Sequence, residues 1–231
     1  MERKQNAISS ASVSRLLSNA EIIIIFLTLL SFAISLFYYS ILPESMASHW
    51  NQYGQADGYM DKFWGIFLMP IVLVFTVIIF ILIPKIDPMK KNIALFRKYF
   101  DTFIILFFAL MFLVFLHILS WNLGYHVNPN QIYPLLFAGL IYYIGVLCEH
   151  SKRNWFIGVR TPWTLSSDIV WDKTHKLAGK LFKLSAVISL LGLFFGSFAI
   201  LFLIIPVSIS ALYTVVYSYL VFRKLNHRSK H

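Results

Sequence analysis

The 231-residue sequence predicts an all-α, polytopic membrane protein with six transmembrane helices and both termini in the cytoplasm. Three observations carry that expectation: a composition too apolar for a soluble fold, apolar runs of spanning length, and basic residues gathered on one side of those runs. Hydrophobic residues make up 58% of the chain and charged residues 13%, against about 45–50% and about 25% in soluble domains. With 22 phenylalanines and 17% aromatics, one globular core of this length would leave too much apolar surface in water. Lipid is the solvent that accommodates it.

The apolar runs at 22–41, 63–83, 99–121 and 132–148 are each suited to cross a bilayer once. The run from 177 to 222 is too long for one crossing. As a continuous helix it would reach about 69 Å, against a hydrocarbon core of about 30 Å. It therefore folds back, and Gly196-Ser197 is the expected reversal, because glycine accepts positive φ and serine bonds local backbone. The last two spans are then 177–195 and 198–222. The first run has no small-residue cleavage site after it and reads as a retained anchor. No internal repeat supports an inverted-repeat transporter, and Ser9-Ser10-Ala11-Ser12 reads as a mobile tail.

Placement of the 20 Lys and Arg decides the orientation. Three precede the first span, five lie between the second and third, seven between the fourth and the body of the fifth, and four in the tail. Only Lys62 falls on the other side. By the positive-inside rule the rich side is cytoplasmic, so the number of crossings is even. The net charge of +10 is thus a topology signal, and no direct nucleic-acid partner is expected. The predicted organisation is a cytoplasmic tail (1–20), two spans with an ordered outer loop and a basic inner loop (21–98), a four-span unit (99–222) with a Trp-rich inner loop (149–176), and a basic tail (223–231).

Catalysis and cofactors find no support. Cys148 is the only cysteine, which excludes an intramolecular disulfide and a cysteine metal cluster. HExxH, GxSxG, paired span carboxylates and a phosphate-cradling glycine loop are all absent from the sequence. No cofactor or metal is therefore predicted, and the protein reads as a non-enzyme.

Two loops carry the candidate residues. The outer one, between the first two spans, contains Leu42-Pro43-Glu44 and then His49, Trp50, Asn51, Gly54, Asp57 and Gly58, closing at Lys62. Gly54 and Asp57-Gly58 suit tight turns, while Trp50, Tyr53 and Tyr59 are expected at the headgroups with their polar tips wet. It is either an outward-facing recognition element or an interfacial loop that caps two helices. His49, Asp57 and Asp61 make only a weak metal set.

The inner loop between spans four and five includes Arg153, Asn154, Trp155, Gly158, Arg160, Thr161, Pro162 and Trp163, followed by Trp171, Thr174 and His175. Indoles at 155, 163 and 171 beside Arg and Lys favour the headgroup zone. Ser166 is the expected N-cap, with Asp168 in the first turn complementing the helix dipole, so a helix should run from about Ser167 into the fifth span. Trp171, Thr174 or His175, Ala178 and Phe182 recur near one face of it. Arg153 and Arg160 either bind lipid phosphates or brace the loop against Glu149 and Asp168.

The run from Lys152 to Phe182, with Arg-Asn-Trp-Phe-Ile-Gly-Val-Arg-Thr-Pro-Trp-Thr-Leu-Ser-Ser, Val-Trp, Lys-Thr-His and Ala-Gly-Lys-Leu-Phe, closely resembles the signature of the SdpI family of toxin-immunity membrane proteins. It departs at Val159, where isoleucine is expected. The outer loop, with Leu-Pro before His-Trp-Asn, then Gly, Asp-Gly and a closing Lys, resembles the extracellular segment of the small domain often joined to that family. The resemblance implies six helices and protection of the host cell against a secreted, membrane-active peptide toxin. It also implies, for some members, signalling in which the engaged protein sequesters a cytosolic transcriptional repressor. The implied partners are therefore a peptide toxin, membrane lipids and, for the signalling role, that repressor.

A small-solute or ion transporter or channel is the alternative. It would need a polar stripe through several spans, where the sequence offers His117, Asn122 and scattered Ser and Thr. His117, read as mid-span, and Asp101, near the inner end of the same span, are expected to face the bundle interior. They serve either as part of a proton path or as local hydrogen-bonding groups. Glu21 and Glu149, at span ends, are expected to pair with nearby Lys or Arg.

Overall fold

Ser18 opens the first helix with a capping box: its hydroxyl accepts from the Glu21 amide at 3.2 Å while the Glu21 carboxylate accepts from the Ser18 amide at 2.8 Å. The computed structural model describes residues 17–228. The serine-rich stretch 9–12, Arg3, Lys4 and Arg15, and the last three residues lie outside it. Helix α1 (Asn19–Tyr38) leads into an antiparallel hairpin of β1 (Ser45–Trp50) and β2 (Ala56–Asp61), which pairs Ser45 with Asp61 and Trp50 with Ala56. Next come α2 (Lys62–Ile86), the short α3 (Lys90–Leu95), α4 (Arg97–Asn122), α5 (Pro129–His150), the one-turn α6 (Pro162–Ser166), α7 (Asp168–Leu191) and α8 (Ala199–Arg228). Six of these helices are long and apolar enough to cross a membrane.

The six spans match the apolar runs, and the reversal of the last run falls where glycine was expected. Two 3₁₀ turns, Gly192–Phe194 and Gly196–Phe198, separate α7 from α8, and Gly196 sits at φ +52°. The outer loop goes beyond its turn chemistry by forming a hairpin. Asn51 organises its tip, its side-chain oxygen accepting from the Tyr53 and Gln55 amides, and Asp61 caps α2 through the Phe63 amide at 2.9 Å.

The helices pack as two groups joined through α4 and α5. In the first, α1 packs on α2 and α4; in the second, α7 packs on α5 and α8. Between spanning helices lipid offers no hydrophobic drive, so close packing and internal hydrogen bonds hold them together. The α5–α7 interface meets that requirement through small residues. A Cβ placed on Gly145 would come within 2.7 Å of the Gly179 carbonyl oxygen. In the first group Phe80 makes edge contacts with Phe100, Phe107 and Phe108. Some buried hydroxyls turn back on their own helices, as Thr28 does to the Ile24 carbonyl at 2.8 Å, and others join helices, as Ser185 of α7 and Ser210 of α8 do at 2.8 Å. Large apolar side chains such as Phe26, Phe75, Ile78 and Leu212 cover the exposed faces.

Charges are neutralised locally. Glu21 and Asp101 share Arg97, at 3.0 and 2.6 Å. Glu149 pairs with Lys183 at 2.6 Å, a lysine on the neighbouring helix, whereas Arg153 turns to Asp168. Lys62, alone among the basic residues at the hairpin end, is buried against Glu44 at 2.7 Å and lies over the Tyr39 ring. Two expectations need correction. Ser167, and not Ser166, caps α7, accepting from the Val170 amide at 3.4 Å; Ser166 instead closes α6 by bonding the Trp163 carbonyl. His117 is not mid-span but five residues from the hairpin end of α4, where its ring packs against Trp50 of the hairpin.

Candidate functional site

The loop between α5 and α7 is held from the inside by Asn154, which is fully buried. Its oxygen accepts from the Phe156 and Ile157 amides at 2.9 and 2.6 Å, and its NH₂ donates to the Lys152 and Ile157 carbonyls at 2.8 and 3.0 Å. Asparagine supplies donors and an acceptor in one planar group, so the tight turn can form where water cannot satisfy the backbone.

Trp171 and His175, one turn apart on α7, form the second support. The Trp171 indole N–H donates to the Ser151 carbonyl at 3.0 Å. The His175 ring stacks on the indole with centroids 3.9 Å apart. Its Nδ1 donates to the Trp171 carbonyl and its Nε2 accepts from the Val159 amide, both at 2.9 Å, a network that requires the neutral ring protonated on Nδ1. Gly158 makes this approach possible: φ is +106°, and a Cβ there would lie 2.3 Å from His175 Nε2.

The rest of the loop is tied to four other segments. Asp87, buried between α2 and α3, accepts from the Trp155 amide at 2.9 Å and from the Met89 amide at 2.6 Å. Asn92 on α3 donates to the Arg153 carbonyl. Arg153 lies 2.9 Å from Asp168 and donates to the Leu165 carbonyl. Thr161 caps α6 in a reciprocal pair with Thr164 and reaches Ser218 of α8 at 3.0 Å. Pro162 occupies the first position of α6, where its missing N–H costs nothing, and Trp163 packs on Tyr219 of α8.

The predicted inner residues therefore divide by role. Arg153, Asn154, Gly158, Thr161, Trp171 and His175 converge on one scaffold, Thr174 is wholly buried on α7, and Trp155, Arg160 and Pro162 face outward. Trp171 corrects the headgroup expectation: at 1% exposure it is enclosed by protein, because its N–H has a carbonyl partner there. Of the two Arg readings, bracing describes Arg153, and Arg160 donates to the Trp155 carbonyl at 2.8 Å while remaining exposed. Asp87, Asn92, Thr164 and Ser218 complete the site without having been singled out. Asp87-Pro88 is a recognisable turn start, but nothing local shows that it accepts from a loop 68 residues away.

At the opposite end the hairpin is clamped by α4 and α5. Asn122 receives the Ala47 amide at 2.8 Å and donates to the Ala47 carbonyl at 3.0 Å, standing in for a neighbouring strand. Gly54 (φ +75°) lies so close to Asn128 that a Cβ would sit 2.2 Å from its oxygen. Trp50 packs against His117 and Trp121, with centroids 5.3 Å apart in each pair. Its indole N–H is buried and not wet as expected for a headgroup anchor. His117 joins hydrogen bonds to Tyr133 and the Val127 carbonyl. His49 pairs with Asp57 at 2.6 Å on the exposed side, above Gly58. Among the described residues no group of three His, Cys, Asp or Glu is placed to hold a metal ion.

Comparison with known proteins follows this division. The model of the SdpI/YfhL protein family matches residues 151–218, covering the inner loop and its supports on α7 and α8 but not Asp87 or Asn92, and a domain of unknown function, DUF1648, matches residues 26–74, covering the hairpin. No solved structure matches. The protein called Immunity protein SdpI of Bacillus subtilis (strain 168) is 31% identical over 206 residues, 89% of this chain and 97% of that protein. With that likeness running through both ends of the bundle, this chain belongs to the SdpI family of integral membrane proteins.

Proposed function

We propose that this protein is an immunity protein that protects its host cell from a secreted, membrane-active peptide toxin. The observation that carries the reading is the 31% identity, over 89% of the chain, to a protein named for immunity. In this reading the basic end faces the cytoplasm, as the charge asymmetry requires, and the hairpin end faces the toxin. The hairpin supports the assignment by offering His49, Asp57 and Tyr59 at the surface of a clamped platform. A toxin held there would be kept from inserting.

Signalling is the finer part of the proposal. The exposed Trp155, Phe156 and Arg160 give the cytoplasmic end an aromatic and cationic surface able to bind a repressor when the toxin is engaged. The protein would act through protein partners and lipids, with no direct nucleic-acid contact and no catalysis.

The test is expression in toxin-sensitive cells, challenge with the cognate peptide, and measurement of survival and membrane potential. Protection that is lost on shortening the hairpin between Asn51 and Gln55, with membrane levels unchanged, is expected. Absence of protection at normal membrane levels overturns the immunity reading. Solute flux into proteoliposomes without any toxin would favour the transporter alternative, and toxin-independent repressor localisation would remove the signalling part.

A further inference from the structure

At the basic end, the last turns of α2 and α5, the first turns of α4 and the α5–α7 loop border a half-open cavity of about 310 Å³. Phe80 and Phe103 line it from the first helix group, Ile144 and Cys148 from α5, and Phe156 and Val159 from the loop. Its polar side chains are already occupied or weak: the Ser151 hydroxyl donates to the Cys148 carbonyl at 3.0 Å, and the Cys148 thiol is a poor partner for water. A water needs two to four polar partners, which these side chains do not offer. The cavity is also about twice the size of the roughly 150 Å³ apolar cavity known to accept a benzene-sized guest.

Its position specifies the guest. From Ile144 to Ser151 at the end of α5 is about 10 Å along the helix, the depth of acyl chains in the adjoining leaflet. Basic residues adjoin the lining in sequence, Lys152 after Ser151 and Arg160 after Val159. Lys152 and Arg153 pair with Asp172 and Asp168, whereas Arg160 forms no ion pair among the described residues. Its Nη1 donates to the Trp155 carbonyl, which holds the guanidinium at the peptide that precedes Phe156 of the cavity wall. An apolar hole whose wall is followed in sequence by a guanidinium without a carboxylate partner is complementary to a chain that carries a phosphate.

We propose that the cavity holds one acyl chain of an anionic phospholipid, with the lipid phosphate on Arg160. This site is independent of the toxin reading and lies at the other end of the bundle. The bound chain completes the wall formed by the loop.

Native mass spectrometry of the full chain, released from nanodiscs of mixed phosphatidylglycerol and phosphatidylcholine, tests it. One retained phosphatidylglycerol per protein is expected. Ile144→Trp fills the cavity and should abolish retention. Arg160→Gln should keep a chain but lower the preference for phosphatidylglycerol by about tenfold, the loss of one charge-assisted hydrogen bond. Because Ile144→Trp could disturb folding, a second measurement uses the unaltered protein. Cys148, the only cysteine, should react with N-ethylmaleimide several-fold more slowly in phosphatidylglycerol than in phosphatidylcholine nanodiscs. No retained lipid, retention unchanged by Ile144→Trp, equal retention of the two headgroups, or equal labelling in the two lipids overturns the proposal.

Discussion

The Val159 amide donates to Nε2 of His175 across 2.9 Å, with Gly158 pressed against the same nitrogen. A loop residue and a span residue 16 positions apart thereby lock the α5–α7 loop onto the bundle. His175→Ala leaves the Val159 N–H without its partner and is expected to cost about 1–3 kcal/mol, read as a lowered unfolding temperature in detergent. Faster hydrogen exchange at Val159 should accompany it.

Gly158→Ala meets two obstacles, a left-handed backbone worth about 1–2 kcal/mol and a Cβ 2.3 Å from His175 Nε2. Adding His175→Ala relieves the second and leaves the first. The double variant should therefore be less destabilised than the sum of the singles, and strict additivity would contradict the contact.

Asp87 joins the first helix group to the loop through the Trp155 amide. Asp87→Ala is expected to cost about 1.5–3 kcal/mol, the range for hydrogen bonds to a charged group. Exchange should rise at Trp155 and Met89 while the hairpin amides stay protected, since they lie at the far end of the bundle.

Asn122→Ala removes both bonds to Ala47, and about 1–3 kcal/mol should be lost at the hairpin. Limited proteolysis between Asn51 and Gln55 should quicken, with the α5–α7 loop unchanged. Asn122→Asp keeps the acceptor alone and should fall between.

Helix packing gives a paired test. A Cβ at Gly179 would lie 2.2 Å from Glu149 Cγ and 2.8 Å from the Gly145 carbonyl oxygen, whereas one at Gly139 meets nothing within 4 Å. Gly179→Ala should destabilise by about 1–3 kcal/mol through overpacking. Gly139→Ala should be neutral or slightly stabilising, because alanine is the better helix former.

Legibility in the sequence follows the range of the interactions. Gly196 as a reversal, the cap of α7 to within one residue, and the pairing of Glu21 with a neighbouring cation were readable, because each rests on local chemistry or on charge near a span end. The hairpin was not, since Ser45–Trp50 and Ala56–Asp61 lack clean alternation and draw support from Asn122, 75 residues from Ala47. The inner loop was found as a cluster of unusual residues, but its composition placed all three tryptophans at the headgroups, while the structure encloses Trp171.

The sequence by itself determined the membrane class and the six crossings, because the cost of placing charge in hydrocarbon and the length of an apolar helix act on each segment separately. Only the tertiary structure decided which loop residues are scaffold and which are surface. Asn154, His175 and Asp87 became scaffold by satisfying backbone groups in places water does not reach. Arg160 was left exposed, its guanidinium turned back on the Trp155 carbonyl.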